Sequence, residues 1–431
     1  EILVEKPREK SHGDYATNVA MQMAKAAKKN PRALAQDLLD RFDFSGTYVA
    51  SAEIAGPGFL NFRLDPVWRA DALRLITKEG PRYGRQDYGK GEKVMVEYIS
   101  ANPTGPMHMG NARGGALGDS LANILSWAGY DCYKEFYLNN AGAQIEKLGK
   151  SLDARYIQLI KGEDAIAFPE DGYQGKDIIR HMKDFIAQYG TEHINLPEQG
   201  RKKIFTAYAM EKNINKIKTD LQAYGIIYDK WFPETDLYDS GEVEKTIEAL
   251  KQSGYTYEKD DALWFKTSAF RGEPYMPKLK DDEEMKDDVL VRSSGIPTYF
   301  AVDIAYHRNK FVERGFSKVI NVWGADHHGH IARMKSAMQA LGINPDALIV
   351  IVIQLVRLME DGKVIRMSKR TGELVTLGEL LEDIGKDAAR FFFNLRQADS
   401  HFDFDLNLAT SQSNENPVYY VQYAHARICS I

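Results

Sequence analysis

Cysteine is nearly absent. The 431 residues hold two, Cys132 and Cys429. Two thiols cannot build a disulfide framework or a Cys-based zinc site, and a reducing cytoplasm is the expected compartment. Long apolar runs are missing too. The longest, Ala347 to Ile353, is far short of the roughly 20 residues of a membrane helix, and no secretory leader is visible. No membrane partner is expected. There is no excess of basic charge: Lys and Arg number 56 against 61 Asp and Glu, a net charge of −5. A nucleic-acid partner would then have to rely on clustered cations. Lys25, Lys28, Lys29 and Arg32 form one such cluster, equally readable as a solvated helix face. No internal repeat and no low-complexity tract is found.

What remains is a water-loving globular composition, 44% hydrophobic and 27% charged, long enough for two or three domains. The first residue is Glu1, not Met, so a piece of the N-terminus is expected to be missing.

Residues 1–85 read as a small α+β domain. Val19, Met23 and Ala26 share one helix face, Ala33 to Phe42 is a second helix, and Ser51 to Leu64 is strand, Gly-Pro-Gly turn, strand. A linker helix, Pro66 to Ile76, follows. The next domain, 86–405, opens on the stretch that organises the chain, EYISANPTGPMHMGNAR from Glu97 to Arg113. Strand 93–99, a tight loop, helix 112–128 and strand 131–137 make a β-loop-α-β pattern, the first half of a doubly wound parallel sheet. The helix N-terminus faces the loop, and its free N–H groups and dipole suit a phosphate. Gly110 lets a ligand approach the backbone, and Asn111 is a natural N-cap.

Residues 150–290 read as charged insertions on that sheet. The second half returns at Gly295–Phe300 as a short strand, followed by a helix with Ile304, Arg308 and Phe311. Val319 to Trp323 leads to Asp326, His327, His328 and His330. Ala347 to Ile353 is expected to be a central strand buried on both faces. A loop then runs to Arg370, and helices follow from Thr376. His327, His328 and His330 lack companion ligands at helical spacing, and no zinc is expected.

Two short segments carry a resemblance. His108-Met109-Gly110-Asn111 and Arg366-Met367-Ser368-Lys369-Arg370 are similar to the HIGH and KMSKS signatures of class I aminoacyl-tRNA synthetases. Alone, the first is a turn with a capping Asn, and the second a basic exposed loop. The longer phrases HGDYATNVAM, GPGFLNFRL, VLVRSSGIPTYFAVDIAYH, GADHHGHIARM and RMSKRTGELVTL, in this order, resemble arginyl-tRNA synthetases of the bacterial type. The resemblance implies a Rossmann-like catalytic domain, a tRNA-elbow-binding domain at 1–85 with its start missing, and the beginning of an all-α anticodon-binding domain at 406–431. It implies ligation of L-arginine to arginine tRNA with ATP and Mg2+ through an arginyl-adenylate, by a cytoplasmic monomer.

It also implies the site. His108, Asn111 and Lys369 are the catalytic donors to developing phosphate charge. Gly110, Asp326, His327, His330, Met367 and Ser368 join them around ATP. Glu97, Tyr299 and Asp303 surround the guanidinium, while Ser100, Asn102 and Asp326 face the α-amino and carboxylate end. The chain departs from the signatures at Asn111, where a second histidine is usual, and at Arg366 and Arg370. Without the resemblance, Asp303 reads as a helix N-terminal acid and Asp326 as an N-cap. Two other readings share the His108 loop: a different ATP-dependent ligase, and a non-catalytic tRNA- or amino-acid-binding paralogue. The N-terminal phrases oppose the first, and retention of His108 and Lys369 opposes the second.

Overall fold

A computed structural model describes residues 2–278, 285–365 and 375–431. The chain divides into two compact units, Glu1–Arg85 and Gln86–Ile431.

In the first unit, strands β1 (Val4–Glu5), β2 (Tyr15–Thr17), β3 (Val49–Ala55) and β4 (Phe59–Leu64) form an antiparallel sheet in the order β1-β2-β4-β3. Helices α1 (Val19–Ala27) and α2 (Pro31–Leu39) cover it. Asn30 starts α2 by accepting the Arg32 amide at 2.9 Å, with Pro31 at the first helical position. Val19, Ala20, Ala35 and Leu60 are the buried centre, with Leu34, Leu38 and Phe62 around them. In the basic cluster, Lys29 pairs with Asp37 and Arg32 donates to the Gly56 carbonyl. Helix α3 (Val67–Glu79) completes the unit.

The second unit is built on a parallel sheet of β5 (Lys93–Glu97), β6 (Asp131–Leu138), β7 (Lys230–Pro233), β11 (Lys318–Gly324) and β12 (Leu348–Ile353), in the order β12-β11-β5-β6-β7. Its β5 alternates across the two faces: Val94 and Val96 join the core under α4 (Gly110–Trp127), while Met95 joins the one under α10 (Tyr299–Arg308) and α11 (His328–Ala340). The chain moves outward from β5 through β6 to β7, then crosses to β11 on the other side. The carboxyl ends of β5 and β11 therefore flank a topological switch point, where ligands bind in such sheets.

Between β6 and β7 stand α5 (Ala143–Lys161), α6 (Lys176–Tyr189) and α7 (Glu198–Ala223), packed around Leu148, Tyr156, Phe185 and Phe205. After β7 come α8 (Thr235–Asp239) and α9 (Glu242–Gln252). Strands β8 (Thr256–Lys259), β9 (Ala262–Phe265) and β10 (Asp288–Val291) form a separate antiparallel sheet. Beyond β12, a hairpin of β13 (Val356–Glu360) and β14 (Lys363–Ile365) pairs with β15 (Phe402–Asp405). Helices α12 (Leu377–Ile384) and α13 (Lys386–Asn394) lie before β15, and α14 (Leu406–Thr410) and α15 (Pro417–Cys429) after it.

Several expectations from the sequence change. Ala347–Ile353 does not form a central strand: β12 is at the sheet edge, and β5 holds the centre. Its apolar run reflects contact on its faces, a signal that edge and central strands share. Residues 150–290 are not all insertion, since β7 adds a strand to the main sheet. Gly295–Phe300 is not a strand. Thr298 caps α10 by accepting the Ala301 amide, so the helix starts at Tyr299 and Asp303 lies inside it. The stretch after Ile353 is a hairpin, not simply a loop. Asp361 and Gly362 both take positive φ, 51° and 71°, as a two-residue hairpin turn requires.

Asn111 is not an N-cap either. Helix α4 begins two residues earlier than expected, at Gly110, and Met109 holds the cap position. His108 does the capping: its Nδ1 accepts the Gly110 amide at 3.1 Å and its carbonyl accepts the Asn111 amide at 3.0 Å.

Candidate active site

The loop after β5 is fastened largely by backbone. Met107 to His108 runs antiparallel to Thr376 and Leu377: the Leu377 amide donates to the Met107 carbonyl at 2.9 Å, the Met109 amide to Val375 at 2.9 Å, and His108 bridges Thr376. With its Nδ1 accepting from Gly110, neutral His108 carries its proton on Nε2, which makes that atom a donor. The ring is exposed at the loop, yet the protein around it removes enough hydration to hold its pKa below the usual histidine value. Gly110 leaves room for the ring: a Cβ there would lie 2.8 Å from His108 Nδ1 and Cε1, and the ring would have to shift. The amides of Gly110, Asn111 and Ala112 are all satisfied within the loop. The free amides expected from the sequence are therefore not available at this end, which leaves the His108 Nε2–H and the helix dipole.

Buried Arg113 fixes the same helix from below. Its guanidinium donates to the carbonyls of Gln354 at 2.9 Å, Ser400 at 2.8 Å and Gln397 at 2.7 Å, tying α4 to the entrance of β13 and the turn before β15. Lys369, Met367 and Ser368, with Arg366 and Arg370, lie outside the described residues.

On the other side of the switch point, Tyr299, Asp303, Asp326, His327 and His330 line one cleft of about 590 Å³, with Thr298, Arg292 and Arg333. Asp303 sits one turn into α10, where it is too far along to cap the helix. Its carboxylate lies 3.0 Å from His330 Nε2. His330 Nδ1 accepts from Arg333 at 3.0 Å, and Arg333 in turn pairs with Asp288 at 2.7 Å. That fixes the His330 proton on Nε2, pointing at Asp303. Asp326 is exposed, follows β11 in a short 3₁₀ turn, makes no capping bond, and lies 3.5 Å from His327.

Glu97, Ser100 and Asn102 are not on that cleft wall. Asn102 donates to Gln144 at 2.7 Å, and the Tyr299 hydroxyl accepts the Ala143 amide at 3.2 Å. The two sides of the site thus meet at the start of α5. Glu97 is 6% exposed. It accepts from Ser100 Oγ at 2.8 Å and from buried Lys310 at 2.5 Å.

Three groups were missed in the sequence. Glu234, at the end of β7, is 2% exposed and has an oxygen with no hydrogen-bond partner. Burial pushes its carboxyl pKa up, the Tyr137 hydroxyl opposes the shift, and the charge of Asp303 adds to the rise. Lys310 and His307 complete a chain under the cleft: the Asp303 carbonyl accepts from His307 Nδ1 at 2.8 Å, and His307 Nε2 accepts from Asn321 at 2.7 Å. The only sequence signal for Glu234 was its place after a strand, and that strand was itself unread.

Residues 1–64 match the family described as the arginyl-tRNA synthetase N-terminal domain, and 74–404 the catalytic domain of class I (R) tRNA synthetases. The chain belongs to the arginyl-tRNA synthetase family. It is 56% identical to the arginine–tRNA ligase of Acetivibrio thermocellus and 58% to that of Ruminiclostridium cellulolyticum, covering 100% of this chain and 74% of each relative. The family fold also matches the Thermus thermophilus arginyl-tRNA synthetase structure, with a TM-score of 0.67 at 22% identity over 99% of this chain and 77% of that one. Among the described residues no helix is long and apolar enough to cross a membrane.

Proposed function

We infer that this chain is an arginine–tRNA ligase. It ligates L-arginine to its tRNA with ATP. The arginine carboxylate attacks the α-phosphorus, the bond to pyrophosphate breaks, and the resulting arginyl-adenylate passes its arginyl group to tRNA, releasing AMP. Magnesium enters with ATP, held chiefly by the phosphates.

The reading of the site rests on one observation: the His108 loop follows β5, while Asp326, His327 and His330 follow β11, the other strand at the switch point, and line one cleft with Asp303 of α10. His108 and Asn111 donate to the phosphates from the β5 side, with Gly110 giving room for the ring. Lys369, flanked by Met367 and Ser368, supplies the cation by family resemblance. Asp326, His327 and His330 border the nucleotide from the β11 side. The guanidinium is a planar cation with five donors, and it needs carboxylates in its plane. Asp303, Glu234 and Tyr299 suit that role, with Glu97 behind them, while Ser100, Asn102 and Asp326 serve the α-amino and carboxylate end. By family resemblance we propose a monomer. Residues 1–85 then serve the tRNA elbow and 406–431 begin the anticodon-binding domain, in a cytoplasmic enzyme.

The test is arginine-dependent ATP–pyrophosphate exchange, with and without arginine tRNA, beside Lys369→Ala. Exchange that needs arginine and falls in the variant supports the reading. Exchange driven by another amino acid overturns the guanidinium pocket.

A further inference from the structure

Lys310 is fully buried, 0% exposed, in a polar cluster beneath the amino-acid pocket. Its ammonium donates to Glu97 Oε2 at 2.5 Å and to Asn321 Oδ1 at 3.3 Å, and lies 4.0 Å from the centre of the Tyr306 ring. It is carried by a π-helical turn, Asn309–Glu313, that extends α10. Such single π turns insert an extra residue into a helix and re-aim the side chains beyond it. The same helix carries Asp303. The chain Lys310–Asn321–His307 ends on the Asp303 backbone, so this one ammonium is bonded toward both sides of the switch point.

Stability alone does not account for it. Burying an ion pair costs so much hydration that apolar residues of similar volume hold a fold as well or better. Desolvation indeed pulls the Lys310 pKa down, and Glu97 opposes the shift. The neighbouring backbone shows what the pair holds. Ile99 and Ser100 take φ of 69° and 46°, and for β-branched Ile99 that is a strained conformation. Strain of this kind persists only where the surroundings over-determine it. Here Ser100 Oγ donates to Glu97 at 2.8 Å and accepts the Tyr137 amide at 3.1 Å, and Tyr228 donates to the Tyr98 carbonyl at 3.0 Å. Glu97 is thus the hinge between a buried cation on one oxygen and a strained turn on the other.

We propose that Lys310 is a positioning residue for arginine, acting through Glu97: its ammonium fixes that carboxylate, and with it the left-handed turn that presents Ser100 and Asn102. The proposal rests on the amino-acid site inferred above. It makes the Glu97 assignment indirect in part, because one Glu97 oxygen answers to the protein's own cation before it answers to a substrate.

The experiment is a double-mutant cycle of wild type, Glu97→Gln, Lys310→Met and the double variant, read by KM for arginine, KM for ATP and kcat in exchange with tRNA present. Lys310→Met is expected to raise KM for arginine about tenfold with KM for ATP within about twofold, and the double variant to be no worse than Glu97→Gln, since coupled residues do not add. Equal losses for arginine and ATP, fold-changes that multiply in the double variant, or an unchanged KM for arginine would each overturn it. If Lys310→Met does not fold, Lys310→Arg decides: it keeps the charge with a different shape. A raised KM for arginine with an unchanged KM for ATP supports the proposal, and wild-type values for both overturn it. Wild-type protein without arginine-dependent exchange would instead bring down the underlying site reading.

Discussion

The His108 loop is held by backbone bonds close in sequence and by a short bridge to Val375–Leu377, whereas the pocket around Asp303 is held by buried side chains from distant segments. On the proposed reading the first serves a ligand whose charge is spread over phosphates, so a few exposed donors and a helix dipole suffice. On the same reading the second recognises one planar cation, so its carboxylates must be held in the cation's plane, which takes charged and hydrogen-bonded partners around them. Losses at the Asp303 end should therefore fall on arginine, and losses at the His108 end on the chemical step.

The largest effect is expected from Asp303→Asn. The amide keeps the shape but removes the charge facing the guanidinium. Two charge-assisted hydrogen bonds to the guanidinium are worth about 1.5–3 kcal/mol each, so kcat/KM for arginine should fall roughly 10²- to 10³-fold while KM for ATP stays put. Steady-state exchange at varied arginine and ATP reads both, and a loss under tenfold would remove Asp303 from the guanidinium pocket. His108→Ala comes next. Removing one preorganised donor costs about 2.7–4 kcal/mol in the transition state, so kcat should drop about 10²-fold with KM for arginine nearly unchanged. A loss carried by KM for arginine would dissolve the distinction between the two ends.

The same contrast explains what could be read before the structure. The β5–loop–α4 unit was legible because each of its signals is local: an apolar run, a turn with Pro103, Gly105 and Pro106, then helical periodicity. Even so, the capping role went to Asn111 rather than to the His108 ring, because nothing in sequence says where the first turn tightens. The pocket was legible only through family resemblance. Glu97 and Lys310 are 213 residues apart, and Glu135 and Arg314, which pair beside them, 179. No periodicity encodes such pairings. Strand β7 was missed because four residues within a charged region give too short a pattern, and Glu234 was lost with it. The Asp361-Gly362 hairpin signal was present and went unread.

A smaller effect tests the packing that seats α4 on β5. A Cβ on Gly118 would fall 2.3 Å from the Tyr98 ring carbon Cγ, inside the core. Gly118→Ala should overpack it by about 1–3 kcal/mol. The expected result is a melting temperature lower by several degrees, with KM for arginine and ATP little changed in the protein that remains folded. A melting temperature equal to wild type would mean that the helix can shift freely on the sheet, and that the His108 loop is less firmly seated than its bonds imply.

The smallest effect separates the two ends by pH. Both His108 and His307 have pKa values below the ordinary histidine value, for the same first reason, lost hydration; at His307 the Lys310 charge adds to it. His307 is fully inside, with both ring nitrogens committed. Its folded pKa lies well below the unfolded value of about 6.5. Above that pH neither state takes the proton, so stability is unaffected. As pH falls below it, the unfolded chain binds a proton that the folded chain refuses, and stability is lost at up to about 1.4 kcal/mol per pH unit. Replacing the group by His307→Gln removes that loss. The stability gap between wild type and variant, measured by denaturant unfolding, should therefore shrink by about 1 kcal/mol from pH 6.5 to pH 5.5. For His108, whose pKa is lowered as well, the mark that separates it is catalytic: a His108→Gln variant should show a changed acid limb of kcat. A constant stability gap for His307 would mean that the ring takes its proton in place, and that the bonds linking Asp303 to Lys310 are looser than a closed buried network.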